Sequence, residues 1–224
     1  MSDSTAGAII VAAGRSERMG GVDKLLQPLG GRPLIAHSLA AFARHSSLGA
    51  LIVVVSEANR AAIEAIVREI APDARVVLGG KRRRDSVHAG LEALSEYDYV
   101  IVHDGARPLA EPELIDAVLA ASRETGAALC AVPVSDTVKR ADAAGLVRGT
   151  VSREDLWLAQ TPQAFRRDLL LQAHRATDID ATDDAALVEL MEAPVRIVLG
   201  SARNLKVTTP ADLRLAEALL AAGP

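Results

Sequence analysis

The residues with the clearest chemical potential lie in one stretch near the start of the chain. An apolar run at residues 8–11 leads into the small residues 12–14, and cations follow at Arg18 and Lys24. Such a run is typical of a parallel strand that is covered on both faces. Small residues in the turn after a strand let backbone N–H groups approach an anion closely. The stretch therefore predicts a phosphate site, while a plain turn with solvated arginines stays open as the alternative.

Two common phosphate-binding motifs do not fit this stretch. A P-loop requires a second glycine after four intervening residues, and the chain has Met19 at that distance from Gly14. A dinucleotide fingerprint requires a glycine at the second position after Gly14, where the chain has Ser16. The first mismatch excludes a P-loop, and the second weakens an NAD-dependent oxidoreductase as an interpretation.

The elements that must position these residues alternate between strand and helix. A helical pattern at 34–43 is followed by a buried-strand pattern at 51–55, a helical pattern at 58–70 and a short strand at 75–78. This alternation predicts an α/β domain built on a parallel sheet, and 224 residues suffice for one such domain. Half of the residues are apolar but only five are aromatic, so we expect a core of Val, Leu, Ile and Ala.

Composition also limits the function. The net charge of −4 argues against non-specific nucleic-acid binding, which requires a basic surface. The single cysteine, Cys130, lies in an apolar run, which favours a core residue over a reactive thiol. The N-terminal residues lack the basic region of a signal peptide, and no segment reaches the length of a membrane span. We therefore expect a cytoplasmic protein without a membrane partner.

Two further segments follow predicted strands. The cations at 81–84 precede a helix that Asp85 could cap and that buries Val87, Leu91 and Leu94, although a charge run of this kind is usually solvated. The strand at 99–103 ends in HDGARP, which brings Asp104 to the carboxyl edge of the sheet, where open α/β sheets bind ligands. Asp104 could hold Mg²⁺ or simply cap the next segment.

The rest of the chain offers fewer candidates. His103 is interpreted as structural, because no G-x-S-x-G motif of a serine hydrolase occurs. Polar alternating segments at 137–141 and 146–153 predict a hairpin, whose exposed edges need a partner unless it is a mere surface flap. Thr182 is expected to cap a helix that buries Leu187, Leu190 and Met191, so that the acids at 183 and 184 are explained by capping. A short strand is expected at 204–207.

Several motifs together resemble one protein family. The chain contains, in order, AAGRSERM, GGKRRRDSV, VHDGARP, PVSDTVKR, LAQTPQAF, TDDAALVE and NLKVTTPADL. These resemble motifs of nucleotidyltransferases and, among them, of the 2-C-methyl-D-erythritol 4-phosphate cytidylyltransferase family. The resemblance implies a Rossmann-like three-layer α/β/α sandwich with a mostly parallel sheet. It implies one nucleotidyltransferase domain over residues 1–224, with residues 133–156 as a projecting arm that reaches across a homodimer.

The resemblance also implies roles for individual residues. Positive charge for the transition state is expected from Arg18 and Lys24, with Arg153 and Lys206 also in the catalytic set. The nucleotide-binding set is Ala12, Ala13, Gly14, Ser16, Gly80, Arg83 and Ser86. The acceptor-binding set is Asp104, Arg107, Thr137, Arg153, Thr161 and Lys206. Asp104 is also the candidate ligand of Mg²⁺, or of another divalent cation. Lys81 stands where many members of the family have an acidic or small residue.

The implied reaction transfers a cytidylyl group from CTP to 2-C-methyl-D-erythritol 4-phosphate. The acceptor phosphate has its second pKa near ~6, so it arrives ionised and requires no general base. The same chemistry on another polyol phosphate, such as ribitol 5-phosphate, is the nearest alternative. A non-catalytic nucleotide-binding module is an alternative of a different class, although such a module has no need to retain Arg18, Lys24, Asp104 and Lys206.

Overall fold

The structure, a computed structural model, describes residues 6–14 and 23–223. The strands are β1 (Ala6–Ala12), β2 (Pro28–Leu29), β3 (Arg32–Pro33), β4 (Leu48–Val55), β5 (Arg75–Leu78), β6 (Tyr99–Asp104), β7 (Ala127–Pro133), β8 (Val138–Ala141), β9 (Val147–Val151), β10 (Trp157–Arg166) and β11 (Arg196–Leu199). The helices are α1 (Leu34–Ala43), α2 (Arg60–Ile70), α3 (Arg83–Ala93), α4 (Pro112–Thr125), α5 (Arg167–Ala176), α6 (Asp184–Glu189) and α7 (Pro210–Ala221). A short 3₁₀ turn covers Lys24–Leu26.

Seven strands form the central sheet, in the order β11-β7-β10-β6-β1-β4-β5. Its neighbouring strands run parallel except at β10, which is antiparallel to both β6 and β7. The register places Ala12 of β1 beside Val55 of β4, and Val11 beside Asp104 of β6. These strands therefore end together at one edge of the sheet. The mostly parallel α/β fold predicted from the sequence is confirmed.

Both faces of β1 are buried, which explains its continuous apolar sequence. Ala8 and Ile10 pack with residues of α1 such as Leu39 on one face, while Ile9 packs with α3 on the other. Successive strand residues point to opposite faces, so a strand that helices cover on both faces buries every side chain and favours apolar residues throughout. The two clusters of buried apolar residues are the cores of the outer layers of the sandwich.

Some predicted elements differ from the structure. The segment 204–207 does not form a strand, although Val207 donates one backbone hydrogen bond to Ala106. The helix predicted to be capped by Thr182 is α6, which begins at Asp184. Its cap is Asp183, which accepts from the N–H of Ala186 at 3.0 Å. Leu190, expected to be buried on that helix, is 56% exposed because α6 ends one residue earlier. No helix was predicted where α5 lies.

The predicted hairpin is present as a separate sheet. Strands β8 and β9 pair with each other in antiparallel fashion and with none of the seven strands of the central sheet. Asp142 shapes the connecting turn by accepting from the N–H groups of Ala144 and Leu146, each at 3.0 Å. Gly145 has a φ of 78°, a backbone conformation that glycine adopts without steric cost. Most residues of the hairpin are exposed.

Cys130 lies in the core, as predicted. It is buried in β7, and its Sγ contacts the carbonyl oxygen of Pro162 at 3.3 Å. Burial raises the pKa of its thiol to about 12, so it is protonated and unreactive near neutral pH. Among the helices of the described residues, none combines the length and the apolar character that crossing a membrane requires.

Candidate active site

A cavity of about 560 Å³ opens at the edge where β1, β4, β5 and β6 end. It brings together predicted site residues that lie far apart in the sequence. These are Ala13, Gly14, Lys24, Gly80, Arg83, Ser86, Asp104 and Lys206. Ala12 is buried immediately behind the opening of the cavity, at the end of β1. The segment that contains Ser16 and Arg18 lies outside the described residues.

Two glycines let the loop after β5 pack closely against the start of α3. A methyl group at Gly79 would lie 2.5 Å from the Ser86 hydroxyl and 2.9 Å from the side chain of Ala13. A methyl group at Gly80 would collide with the side chain of Asp85. Asp85 was predicted to cap α3, but Arg82 is the N-cap and Asp85 is the third residue of the helix, where it accepts a hydrogen bond from the N–H of Arg82 at 3.1 Å. Only glycine fits at these positions, so backbone groups of residues 79 and 80 line the cavity directly.

Lys24 enters the cavity from a short, well-anchored turn. Asp23 caps this turn by accepting from the N–H of Leu25 at 3.0 Å, and the Leu25 side chain is buried. The turn closes through a backbone hydrogen bond from Gln27 to the carbonyl oxygen of Lys24. The flexible side chain of Lys24 thus projects from a fixed piece of backbone.

Asp104 is surrounded by cations. One carboxylate oxygen lies 2.8 Å from the Lys206 ammonium and 3.9 Å from Nε of Arg107, and the other lies 3.4 Å from Nε of Arg83. Burial alone would raise the pKa of this carboxyl, but Arg83, Lys206 and Arg107 outweigh that effect and lower it well below its usual range. Asp104 is therefore ionised at any physiological pH, and it orients the cations around it.

A hydrogen-bonded chain holds Asp104 from behind. Its N–H donates to the Thr161 hydroxyl at 2.9 Å, the hydroxyl contacts Nδ1 of His103 at 3.2 Å, and Nε2 of His103 contacts the carbonyl oxygen of Arg107 at 3.1 Å. Since a carbonyl oxygen only accepts, Nε2 carries the proton and Nδ1 accepts from Thr161. Burial lowers the pKa of His103 to about 4, so its ring is neutral. These contacts support the structural interpretation of His103.

Arg83 joins Asp104 to a second buried carboxylate. Its Nη1 donates to Asp184 at 2.7 Å, and Asp184 is 1% exposed. Burial opposes the charge on Arg83, but Asp184 and Asp104 outweigh it and raise the pKa of the guanidinium. Sequence reasoning missed this pair, because it attributed Asp184 to helix capping. The cap is Asp183, and Asp184 lies one residue further, pointing inward.

The other predicted acceptor residues do not line the cavity. Arg107 is buried and donates to the carbonyl oxygens of Asn204, at 2.6 Å, and Ala159, at 3.4 Å. Thr161 is 3% exposed and faces His103 and Asp104. Thr137 and Arg153 are exposed on the hairpin, where Arg153 donates to the carbonyl oxygen of Ser135. Within one chain, the described residues bring five members of the nucleotide-binding set to the cavity but leave these hairpin residues outside it; the five are Ala13, Gly14, Gly80, Arg83 and Ser86.

The cavity offers little protein coordination for a metal ion. Among the described residues, no three His, Cys, Asp or Glu side chains gather closely enough to hold one. Mg²⁺ commonly uses one or two carboxylates and takes its remaining ligands from water and substrate phosphates. Asp104 is ionised and lines the cavity, so it fits that role. Three cations already surround Asp104, so a metal ion would bind there together with the negatively charged phosphates of a substrate.

These features define a class of protein. An open α/β sheet ends in small and glycine-containing loops that can approach phosphates, and lysines and a carboxylate line the cavity at the same edge. This is the arrangement expected of a nucleotidyltransferase, in which positive charge and positioning do most of the catalytic work.

Comparison with known proteins identifies the family. Residues 6–222 match the family described as 2-C-methyl-D-erythritol 4-phosphate cytidylyltransferase. The chain is 46% identical to the protein of that name from Dehalococcoides mccartyi, with 97% of this chain and 96% of the relative covered. It is 47% identical to the one from Pelotomaculum thermopropionicum, with 96% and 94% covered. The chain belongs to the 2-C-methyl-D-erythritol 4-phosphate cytidylyltransferase family.

Solved structures agree with this assignment. The crystal structure of 4-diphosphocytidyl-2C-methyl-D-erythritol synthase from Anaerococcus prevotii superposes with a TM-score of 0.86 at 32% identity, covering 98% of this chain and 99% of that chain. The 2-C-methyl-D-erythritol 4-phosphate cytidylyltransferase from Thermus thermophilus gives a TM-score of 0.82 at 34% identity, with 97% and 99% covered. The likeness thus extends over nearly the whole length of both chains.

Proposed function

We infer that this protein transfers the cytidylyl group of CTP to 2-C-methyl-D-erythritol 4-phosphate, giving 4-diphosphocytidyl-2-C-methyl-D-erythritol and pyrophosphate for isoprenoid precursor synthesis. The observation that carries this inference is the convergence of Lys24, Arg83, Asp104 and Lys206 on one cavity in a chain that belongs to this family. The role proposed for each residue rests on its place in the cavity and on its contacts.

The proposed reaction is a displacement at the α-phosphorus of CTP. A phosphate oxygen of the acceptor forms the new P–O bond, and the bond from the α-phosphorus to the bridging oxygen of pyrophosphate breaks, leaving its electron pair on that oxygen. The acceptor phosphate is mostly dianionic above its second pKa of about 6, so the protein does not need to remove a proton. This agrees with His103, which is neutral, buried and occupied at both ring nitrogens.

Lys24 and Arg18 are proposed to stabilise the charge that grows on the phosphates in the transition state. Lys24 is suited to this because it lines the cavity and belongs to a turn whose backbone is held by hydrogen bonds. Donors that are already in place cost no reorganisation when the reaction occurs. Mg²⁺, when bound, would supply Lewis-acid neutralisation of the triphosphate, with Asp104 as its protein ligand. Arg18 lies outside the described residues, so its role rests on the family motif.

Lys206 is proposed to bind the acceptor phosphate. Its side chain is 38% exposed and its ammonium lies 2.8 Å from Asp104, so the carboxylate orients a cation that still faces the open cavity. Arg83 differs, because it is held between Asp104 and Asp184 and its side chain is 22% exposed. We therefore assign Lys206 to direct contact with substrate and Arg83 to positioning Asp104, alongside any contact with the nucleotide.

Recognition of cytosine is assigned to the backbone around Gly80 and to Ser86. Because a side chain at residue 79 or 80 would clash with its neighbours, the peptide groups there are presented at fixed positions. A site that hydrogen-bonds a base through fixed groups rejects an analogue that leaves those groups unpaired.

We propose further that the protein is a homodimer and that the hairpin completes the acceptor site of the partner subunit. Thr137 and Arg153 are exposed and do not line the cavity of their own chain. Next to the hairpin, Trp157 and Leu158 are 40% and 57% exposed, and Leu199 on the edge strand β11 is 68% exposed. Exposed apolar side chains beside an unpaired edge suit contact with a second copy of the chain.

One assay tests the function. Pyrophosphate release would be measured with CTP, UTP, ATP and GTP, each with 2-C-methyl-D-erythritol 4-phosphate and with ribitol 5-phosphate as acceptor. Release with CTP and the erythritol phosphate alone supports the proposal. Preferred use of ribitol 5-phosphate would instead support the alternative acceptor, and no release with any pair would indicate a nucleotide-binding module without turnover.

Subunit mixing tests the dimer. If Arg153 acts across the interface, Lys24→Ala and Arg153→Ala chains complement each other, because one site of each heterodimer then has both residues. Random mixing should restore about a quarter of the parent activity, since about half of the dimers are heterodimers with one intact site. Absence of any recovery, with heterodimers verified by mass, would place Arg153 in the site of its own chain.

A further inference from the structure

Asn59 makes contacts that its position in the fold does not require. It precedes the first turn of α2, where an asparagine side chain normally accepts a hydrogen bond from the helix. Here the side chain makes no such capping bond to α2. It is instead bonded to Ala12 at the end of β1 and to Asp23, and the residue is only 5% exposed.

All four hydrogen-bonding positions of this side chain are used. Nδ2 donates to the carbonyl oxygen of Ala12 at 2.9 Å and to the carboxylate of Asp23 at 2.8 Å. Oδ1 accepts from the N–H and from the hydroxyl of Ser56, both at 2.9 Å. The orientation of the amide follows from these partners, because Ala12 and Asp23 offer only acceptors here while the N–H of Ser56 only donates.

The two partners of Nδ2 are the two ends of one loop. Ala12 is the last residue of β1, and Asp23 caps the turn in which Lys24 is the first residue. The chain between them contains the family motif with Arg18. A single amide nitrogen therefore connects the last residue of β1 with the residue that caps the turn of Lys24. Oδ1 ties the same side chain to Ser56, directly after β4.

We propose that Asn59 is a positioning residue, which holds the two ends of the loop together and thereby fixes Lys24 for catalysis. Nothing in the reaction requires Asn59 to touch substrate. Its effect passes through Asp23, whose carboxylate binds Asn59 with one oxygen and the N–H of Leu25 with the other. A catalytic group displaced by about 1 Å can lose on the order of 10²-fold in rate, so the placement of this turn matters. The proposal refines the proposed function and rests on it for its kinetic test only.

Exchanging the two side chains gives a sharp test. In Asn59→Asp, two carboxylates would face each other across the loop ends, although the new carboxylate can still accept from Ser56. In Asp23→Asn, an amide can still accept from Leu25 but presents its NH₂ group to Nδ2 of Asn59. The double variant restores a donor and an acceptor, because the amide introduced at position 23 donates to the carboxylate introduced at position 59. The bond to Ala12 stays lost, and a carboxylate oxygen at position 59 then faces the carbonyl oxygen of Ala12, so the recovery is incomplete.

We expect each single variant to lower kcat by about 10-fold or more with a smaller change in KM for CTP, and the double variant to recover part of the loss seen in Asn59→Asp. Amide hydrogen exchange at residues 25–27, whose N–H groups donate to Asp23 and Lys24, should rise several-fold in the single variants and fall again in the double one, as measured by mass spectrometry. Ile63→Val is the matched control, because it loosens the packing of α2 without touching the loop ends, and it should retain the parent kcat.

The outcomes separate this proposal from the proposed function. Parent-like kcat and exchange in both single variants would overturn the role of Asn59, as would a double variant that is no better than Asn59→Asp. If Asn59→Asp does not fold, Asp23→Asn decides the matter alone, because it keeps the bond to Ala12, and parent-like kcat and exchange in it would overturn the role. A parent protein without pyrophosphate release would refute the proposed function, whereas the exchange measurement would still report whether Asn59 holds the loop.

Discussion

The cavity and the hairpin place functional side chains in opposite ways. In the cavity, Asp104 is 8% exposed, and each of its neighbours Arg83 and Arg107 has further partners that hold it. On the hairpin, Thr137 and Arg153 are exposed at the base of a two-stranded sheet, β8 and β9, whose residues are mostly exposed. The first region is preorganised by its own chain. The second can reach comparable order only against another surface.

This difference has an energetic basis. A two-stranded hairpin is at best marginally stable by itself, because it buries little apolar area against the entropy of ordering its chain. Buried ion pairs cost desolvation but leave few alternative geometries once their partners are in place. We therefore expect substitutions in the cavity to act on turnover or on folding, and substitutions in the hairpin to act on binding of the acceptor.

Removal of the charge of Lys24 should have the largest effect. Lys24→Ala is expected to lower kcat by on the order of 10²-fold or more with a smaller rise in KM for CTP, because the ammonium acts on charge that grows in the transition state. Arg18→Ala is expected to behave in the same way. Steady-state kinetics at saturating acceptor would measure both. A variant that shows only a raised KM for CTP would reassign its residue to ground-state binding.

Acid should weaken the cavity region through His103. Burial lowers its folded-state pKa to about 4, below the unfolded value of 6.5, so the unfolded state takes up a proton first as pH falls. The contribution of neutral His103 to the free energy of unfolding is fully present above pH 6.5 and is lost progressively toward pH 4. Between about pH 7 and about pH 5 this loss amounts to about 2 kcal/mol in the free energy of unfolding.

Urea unfolding at the two pH values would measure this loss. His103→Gln should be less stable near neutral pH, because it loses a hydrogen bond, but it should show a smaller decline on acidification. The pKa values of Asp104 and Asp184 are lowered from their ordinary carboxyl values, so both side chains stay ionised between these two pH values. They therefore contribute little to the change in the free energy of unfolding. An equal decline in parent and variant would assign the acid sensitivity to another group.

The sequence predicts those residues of the cavity that directly follow buried parallel strands. Runs such as 51–55 and 99–103 mark buried strands, and the residues after them meet at one edge in any parallel sheet. Asp104 is predicted in this way, and the family motifs add Gly80, Lys24 and Lys206. The bounds of α1 were predicted correctly, since its apolar spacing and the turn before it agree.

Partnerships between distant side chains could not be predicted. Asp184 lies next to a residue that does cap a helix, and a sequence cannot show which of two adjacent acids points inward toward Arg83. Arg107 follows Asp104 closely enough to suggest a shared ligand, yet its guanidinium donates to two backbone carbonyl oxygens. Asn59 carries no motif at all. Its one signal is an asparagine before a helix, which is normally explained by capping.

Arg153→Lys should test the hairpin with a moderate effect. A guanidinium can bind a phosphate through two parallel hydrogen bonds, whereas an ammonium of the same charge cannot. We expect KM for the acceptor to rise by roughly 10-fold while KM for CTP and the unfolding midpoint stay nearly unchanged. Arg140→Lys, on the same hairpin, is the matched control and should behave like the parent. Equal rises in both KM values would mean that the hairpin serves the whole site.

Lys81→Ala should have the smallest effect. The variant tests whether an exposed side chain beside the preorganised backbone contributes to the choice of base. Lys81 lines the cavity and is exposed, but it precedes the first residue of α3 and follows the glycines whose backbone positions are fixed by Ser86 and Asp85. If those backbone groups select the base, a flexible exposed cation beside them adds little selectivity. We expect less than about a 3-fold change in kcat/KM for CTP, with the preference over UTP retained. Comparable use of CTP and UTP by the variant would show that base choice depends on this side chain. The cavity, like the hairpin, would then rely on an exposed and flexible side chain.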